Sequence, residues 1–377
     1  MGNPLQELIR VGQSFWYDNI RRELLTGGGL KRMVAEDGLR GLTSNPTIFD
    51  KAIAGSGDYD ESLRRHAALP AKELFLEIEL DDIAAAADVL RGVYDGSEGR
   101  DGFVSIEVTP DLADNTQATL EQARWLWGRL QRPNVMVKVP ATPEGIPAVR
   151  QLLAEGINVN ITLLFDLPSY EQVIDAWLGA LEARAQRGQP LDRIASVASL
   201  FVSRVDTKVD KLLAARAAAL PQRRQEIEAL EGQAGIANAR QMYALFRRTV
   251  AEERFRRLAA QGARPQRPLW ASTSTKNPKY PDTYYADALI GPDTVDTMPD
   301  VTIAAFRDHG RPADRLTGSE PEARRVLAAL QAAGIDLHQA LVELRAEGVA
   351  SFDKSYQDLL AGIQAKLARL RDQVKTA

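Results

Sequence analysis

The chain contains no cysteine, which excludes disulfides, thiolate nucleophiles and cysteine-ligated metals. Histidine is nearly absent as well. Only His66, His309 and His338 occur, far apart in polar or helical contexts, so neither a Ser-His triad nor a histidine-rich zinc site is expected. No apolar run approaches the roughly 18 residues of a membrane span, and no charged-then-apolar leader opens the chain. A cytoplasmic protein without a membrane partner is the expectation. Nor is there an excess of one charge: 47 basic residues against 51 acidic ones leave a net charge of −4, so no overall basic field recruits nucleic acid. The chemical groups that remain in number are lysines and carboxylates, and no metal is expected.

What is present is ample material for a core. Of the 377 residues, 45% are apolar and 26% charged, the balance of a globular protein. Length alone fits either two average domains or one α/β barrel of roughly 250 residues with insertions. The most informative stretch is Val135-Met136-Val137-Lys138-Val139-Pro140, a β-branched run that reads as a buried parallel strand. Its lysine sits in an apolar face. An unpaired ammonium is disfavoured there, which favours the neutral, nucleophilic amine. The expectation is that Lys138 forms a Schiff base with a carbonyl substrate.

Seven other strand candidates accompany this one. They are Gln13–Asp18, Leu39–Thr43, Phe103–Val108, Ile157–Leu164, Ile194–Ala198, Leu269–Thr273 and Asp287–Gly291. Between them lie helical patterns and their stop signals. Pro46 forces Asn45 out of α geometry and opens a helix. From Lys51 to Tyr94, Leu76, Leu80, Ile83, Ala87 and Leu90 share one helical face. Gly27-Gly28-Gly29 reads as a turn, since no Lys-Ser/Thr pair follows at P-loop spacing. The charged segment from Pro221 to Gly232 reads as a solvated excursion. After the last strand, helices are expected at Glu320–Ala333, Leu337–Arg345 and Val349–Val374. The last carries Phe352, Tyr356, Leu359, Ile363, Leu367 and Leu370 as an apolar stripe, which either closes over the barrel mouth or forms a subunit contact.

Eight strands separated by helices argue for a (β/α)8 TIM-type barrel with additional helices, including a long C-terminal one. The expected organisation is one barrel domain over residues 1–377, with 45–97 a helical insertion between the second and third strands and 300–377 a C-terminal helical extension. In such a barrel the C-terminal strand ends meet at one rim, where catalytic residues gather. Asp18, Asn45, Glu107, Lys138, Asn160, Thr162, Ser199, Arg204 and Lys276 all fall on that rim. Singly, each reads more readily as a helix cap, a surface charge or a snorkelling lysine. Together they supply an amine, acids to dehydrate a carbinolamine, and a base to take a hydroxyl proton during carbon-carbon cleavage.

The motifs Thr43-Ser44-Asn45-Pro46, Gly55-Ser56-Gly57-Asp58-Tyr59-Asp60, Val137-Lys138-Val139-Pro140-Ala141-Thr142, Gly156–Phe165 and Ser199–Asp206 together resemble those of the transaldolase family of pentose-phosphate metabolism. The resemblance implies a class I barrel in which Lys138 matches the Schiff-base lysine and Asp18 the base of carbon-carbon cleavage. It implies that Glu107 and Thr162 match the pair relaying protons through a water. Asn45, Asn160 and Ser199 match residues holding the dihydroxyacetone hydroxyls, and Arg204 a binder of phosphate. Lys276 falls where a second phosphate-binding arginine is expected; it keeps the charge without the bidentate fork. The implied reaction passes a dihydroxyacetone unit from sedoheptulose 7-phosphate to glyceraldehyde 3-phosphate, giving erythrose 4-phosphate and fructose 6-phosphate. No cofactor takes part, the partners are sugar phosphates, and a homodimer is the family's expectation. Two alternatives stand beside it. One is a fructose-6-phosphate aldolase, whose shorter chains carry glutamine and tyrosine where this one has Glu107 and Phe201. The other is a non-catalytic sugar-phosphate-binding barrel.

Overall fold

The computed structural model describes residues 2–376, with side chains through residue 372. Eight parallel strands close into a barrel in sequence order: β1 (Gln13–Tyr17), β2 (Gly41–Thr43), β3 (Phe103–Glu107), β4 (Val135–Pro140), β5 (Val159–Leu164), β6 (Ser196–Phe201), β7 (Arg267–Ala271) and β8 (Thr294–Met298). β8 pairs back onto β1 from Gln13↔Thr294 to Tyr17↔Met298. With no free edge, every strand residue except Arg267 and Ala271 is buried. This explains why the strands read as apolar or β-branched runs more than as alternating ones. Helices follow the strands around the outside, as the (β/α)8 reading requires.

The barrel interior is a packed core. Trp16, Phe103, Met136, Val197, Leu269 and Val295 fill it from six strands. One glycine makes that filling feasible: a Cβ on Gly41 would lie 2.4 Å from the Trp16 ring. Below them Asp101 accepts from Ser14 Oγ at 2.5 Å and from Trp16 Nε1 at 3.0 Å, and pairs with Arg267 at 3.1 Å. Polar groups thus close the floor, and the other end is left for the site.

Three parts of the chain differ from the sequence expectation. The eighth strand is Thr294–Met298; Asp287–Gly291 instead overlaps the short helix Tyr284–Ala288. Leu289 and Ile290 are fully buried, but as part of the turn leading to β8, where Gln13 Nε2 donates to the Leu289 carbonyl at 2.8 Å. Lys51–Tyr94 is three helices, Pro46–Gly55, Asp60–Arg65 and Ala71–Gly96, broken around Gly57 and Pro70. Conversely, the two helices expected after Leu337 are one, Leu337–Thr376, running straight through Gly348. Its end beyond residue 372, which includes Val374, lies outside the described side chains. Pro221–Gly232 holds a turn of 3-10 helix and the short helix Arg224–Glu228, anchored by the buried Ile227. No helix among the described residues is long and apolar enough to cross a membrane.

Candidate active site

The C-terminal strand ends surround a cleft of about 560 Å³. Asp18, Asn45, Lys138, Thr162, Ser199, Arg204 and Lys276 all line it. Glu107 and Asn160 stand just behind its wall. Both are nearly or fully buried, and both are register neighbours of Lys138, through β3 and β5 respectively. All nine rim residues therefore come together, seven on the surface of the cleft and two in the layer supporting it.

Lys138 is 5% exposed, and its Nζ is 3.4 Å from Glu107 Oε2 while donating to the Ser44 carbonyl at 3.2 Å. The loop after β2 supplies that carbonyl because Asn45 is extended (φ −159°, ψ 164°) before Pro46. Asn45 Oδ1 accepts from Ile48 N–H at 3.1 Å and caps the helix, which leaves its amide NH2 for the cleft. Asp18 continues β1, its N–H donating to the Met298 carbonyl at 3.0 Å. Its carboxylate accepts from Thr43 Oγ1 at 2.9 Å.

Burial pushes the carboxyl of Asp18 above its ordinary range, against the opposing pull of the Lys138 charge and the Thr43 hydrogen bond. Glu107 is raised for the same first reason, again opposed by Lys138 and reinforced by the Asp18 charge. A third carboxylate lies in this shell, Glu79 on the helix Ala71–Gly96. It is 3% exposed and is pushed well above its ordinary range by burial and then by the charge of Glu107. One amine therefore faces several carboxylates that are reluctant to ionise together.

The remaining polar groups divide into two kinds. Asn160 is spent within the protein: it accepts from Ser199 Oγ at 2.6 Å and donates to Ser105 Oγ at 3.0 Å. Thr162 Oγ1, by contrast, is buried without a hydrogen-bond partner among the described residues, so a group in the cleft is what can satisfy it. Cations lining the same cleft also lack a salt-bridge partner among the described residues. Arg204 is held between the rings of Phe201 (5.2 Å) and Phe352 (5.9 Å) and makes no salt bridge among the described residues. Lys276 donates to Ser274 Oγ at 2.6 Å, its one hydrogen bond among the described residues, and burial followed by the charge of Arg204 lowers its pKa. Lys51 also lines the cleft and has no salt bridge among the described residues. Three cations without a salt bridge among the described residues thus face one cleft, a charge distribution that favours an anion there.

Sequence reasoning missed Lys51, Arg21 and Glu79, and placed Phe352 only as one member of an apolar stripe. Lys51 lies on the helix Pro46–Gly55 and Arg21 just before the helix Arg22–Thr26, and neither carries a motif. Glu79 interrupts the apolar face of its helix between Leu76 and Leu80, a signal visible in the sequence. Among the described residues no group of three or more His, Asp or Glu side chains is arranged to hold a metal ion.

A family model described as transaldolase/fructose-6-phosphate aldolase matches residues 15–363. The chain is similar along its full length to curated transaldolases. That of Saccharopolyspora erythraea is 44% identical over 377 residues, covering 98% of each chain. That of Thermobifida fusca is 46% identical over 371 residues, covering 98% of this chain and 99% of the relative. That of Trichodesmium erythraeum is 40% identical over 374 residues, again 98% of each. Matched across its barrel, its rim motifs and its length, the chain belongs to the transaldolase/fructose-6-phosphate aldolase family and is an enzyme of the transaldolase type.

Proposed function

We propose that the enzyme transfers a dihydroxyacetone unit from sedoheptulose 7-phosphate to glyceraldehyde 3-phosphate through a Schiff base on Lys138. The observation that carries this is the meeting of a buried amine and a buried carboxyl at 3.4 Å at a cleft also lined by cations without a salt bridge among the described residues. The Lys138 amine adds to the ketose carbonyl, and the carbinolamine loses water. Glu107, with Thr162 and a water between them, supplies and recovers the protons of those steps. The iminium then draws electrons from the bond between C3 and C4 as Asp18 removes the C4 hydroxyl proton. An aldose leaves and an enamine stays on Lys138.

The raised carboxyl of Asp18 supports its role, since a base matched to its working pH is the more effective one. Asn45 and Ser199 are suited to hold the hydroxyls of the three-carbon unit, with Asn160 fixing Ser199 from behind. Arg204, Lys276 and Lys51 form the phosphate subsite; all three line the same cleft, and the charges of Arg204 and Lys276 reach Asp18.

The competing aldolase reading differs only in what happens to the enamine. The deciding experiment is acceptor exchange, with fructose 6-phosphate as donor and erythrose 4-phosphate as acceptor. A transferase forms sedoheptulose 7-phosphate at a rate that depends on acceptor. An aldolase forms free dihydroxyacetone at a rate that does not, and a binding protein forms neither.

A further inference from the structure

The helix Leu337–Thr376 is fastened across the barrel mouth at several points. Arg345 Nη1 donates to Ser169 Oγ at 2.7 Å, and Lys208 bridges Glu343 and Glu347 at 2.7 and 2.6 Å. Farther along, Lys366 pairs with Asp60 at 2.8 Å and donates to the Ile53 carbonyl at 2.8 Å. The helix approaches the barrel tightly at Gly348, where a Cβ would stand 2.9 Å from Leu163 Cδ2. Leu163 directly follows Thr162 on β5. It has a φ of 54°, a left-handed value rare for leucine, at the register shift between Ile161 and Leu164. Its side chain joins a cluster with Leu344 and Phe352 of the helix instead of continuing the strand's alternation.

One turn past Gly348 comes Phe352. Its ring centroid is 5.9 Å from Lys138 Nζ and 5.9 Å from Arg204 Cζ, so a single ring spans the reacting end and the phosphate end of the cleft. It also separates two spaces, lining the main cleft beside Lys138 and a smaller apolar cavity beside Glu107 and Val349. At 7% exposed, the side chain is a wall of the site and not a surface residue.

Resting on the Schiff-base reading above, we propose that Phe352 is a specificity-determining residue that commits the three-carbon intermediate to transfer in place of release. Cleavage leaves an enamine on Lys138. In transfer, the enamine carbon attacks the aldehyde carbon of the acceptor, and the aldehyde oxygen takes up a proton. Water then hydrolyses the iminium and frees the longer ketose. In release, the same carbon takes a proton instead. Water adds to the iminium carbon, the carbon-nitrogen bond breaks, and dihydroxyacetone and the Lys138 amine are formed. The two fates divide at one carbon, which meets either an aldehyde or a proton. The Phe352 ring carries no acidic hydrogen and covers the face above the amine, so it keeps away the water that delivers that proton.

The test uses Phe352→Ala, which opens this face, and Phe352→Leu, which keeps an apolar side chain of shorter reach. Free dihydroxyacetone from fructose 6-phosphate alone is compared with transfer to erythrose 4-phosphate, and borohydride trapping at Lys138 is run in parallel. The ratio of release to transfer is expected to rise roughly tenfold in Phe352→Ala and by less in Phe352→Leu, with the adduct still formed. An unchanged ratio in folded variants that form the adduct overturns the role of Phe352. Failure of the wild type to form any adduct overturns the Schiff-base reading instead. Should Phe352→Ala not fold, the ratio in Phe352→Leu decides.

Discussion

Lys138 Nζ and Glu107 Oε2 meet at 3.4 Å from directly paired positions of β4 and β3. Parallel register thus sets the amine beside the carboxyl without help from a loop. Removing the acid while keeping its shape isolates its contribution. Glu107→Gln is expected to slow Schiff-base formation roughly a hundredfold, the scale of positioned acid-base catalysis, with little change in substrate binding. Stopped-flow or quenched borohydride trapping measures the first quantity and equilibrium titration with fructose 6-phosphate the second. Unchanged trapping kinetics would remove Glu107 from the proton relay.

The unpaired cations give a prediction that depends on the phosphate of the substrate. Arg204→Ala is expected to raise KM for fructose 6-phosphate at least roughly tenfold, and Lys51→Ala by roughly two- to fivefold, since Lys51 is more exposed to screening solvent. Both effects should shrink with unphosphorylated fructose. Steady-state kinetics on the two sugars at low and high salt provide the check, and equal losses on both sugars would contradict a phosphate subsite.

Asp206 gives a prediction about stability and pH. It is buried at the start of the helix Ser203–Ala219 and accepts from Gly235 N–H at 2.7 Å; burial raises its pKa from 3.8 to about 7. The folded protein therefore holds this proton over a range where the unfolded chain has released it. Stability from the protonated acid is complete below the ordinary aspartate range and is lost as pH rises through about 7. At about 1.4 kcal/mol per unit, the full difference is on the order of 4 kcal/mol. Asp206→Asn keeps an acceptor for Gly235 and has no proton to lose. Its melting temperature should gain on the wild type between about pH 4 and about pH 7, and parallel profiles over that window would refute the assignment.

Much of this molecule was legible in its sequence because strands buried on both faces announce themselves. Val135–Pro140 is a β-branched run found as a strand with the expected bounds, the strand expected over Ile157–Leu164 is found at Val159–Leu164, and the rim residues follow from where strands stop. β8 was hidden for a physical reason. Thr294 and Asp296 are completely buried polar residues, so the true strand has a mixed pattern while the apolar Leu289 and Ile290 beside it lie in a turn. The gap expected between Arg345 and Val349 erred in the opposite direction. The helix runs on through Gly348, whose missing side chain lets Leu163 approach.

Long-range effects were the least legible. Phe352 was visible as one member of an apolar stripe, and nothing in the local sequence says that it reaches Lys138, more than two hundred residues away. Its companions Tyr356, Leu359 and Ile363 are buried in the chain's own core, and of the stripe Phe352 lines the cleft. Lys51 was invisible because an unpaired surface cation matters only once Arg204 and Lys276 are seen across the same cleft.

The most direct measurement is borohydride reduction of the enzyme with fructose 6-phosphate, followed by peptide mapping. The account predicts a reduced three-carbon or six-carbon adduct on Lys138 and on no other lysine, with loss of activity in proportion to labelling and no adduct in Lys138→Met. Full activity surviving with Lys138 unmodified, or labelling at Lys51 or Lys276 in its place, would contradict it.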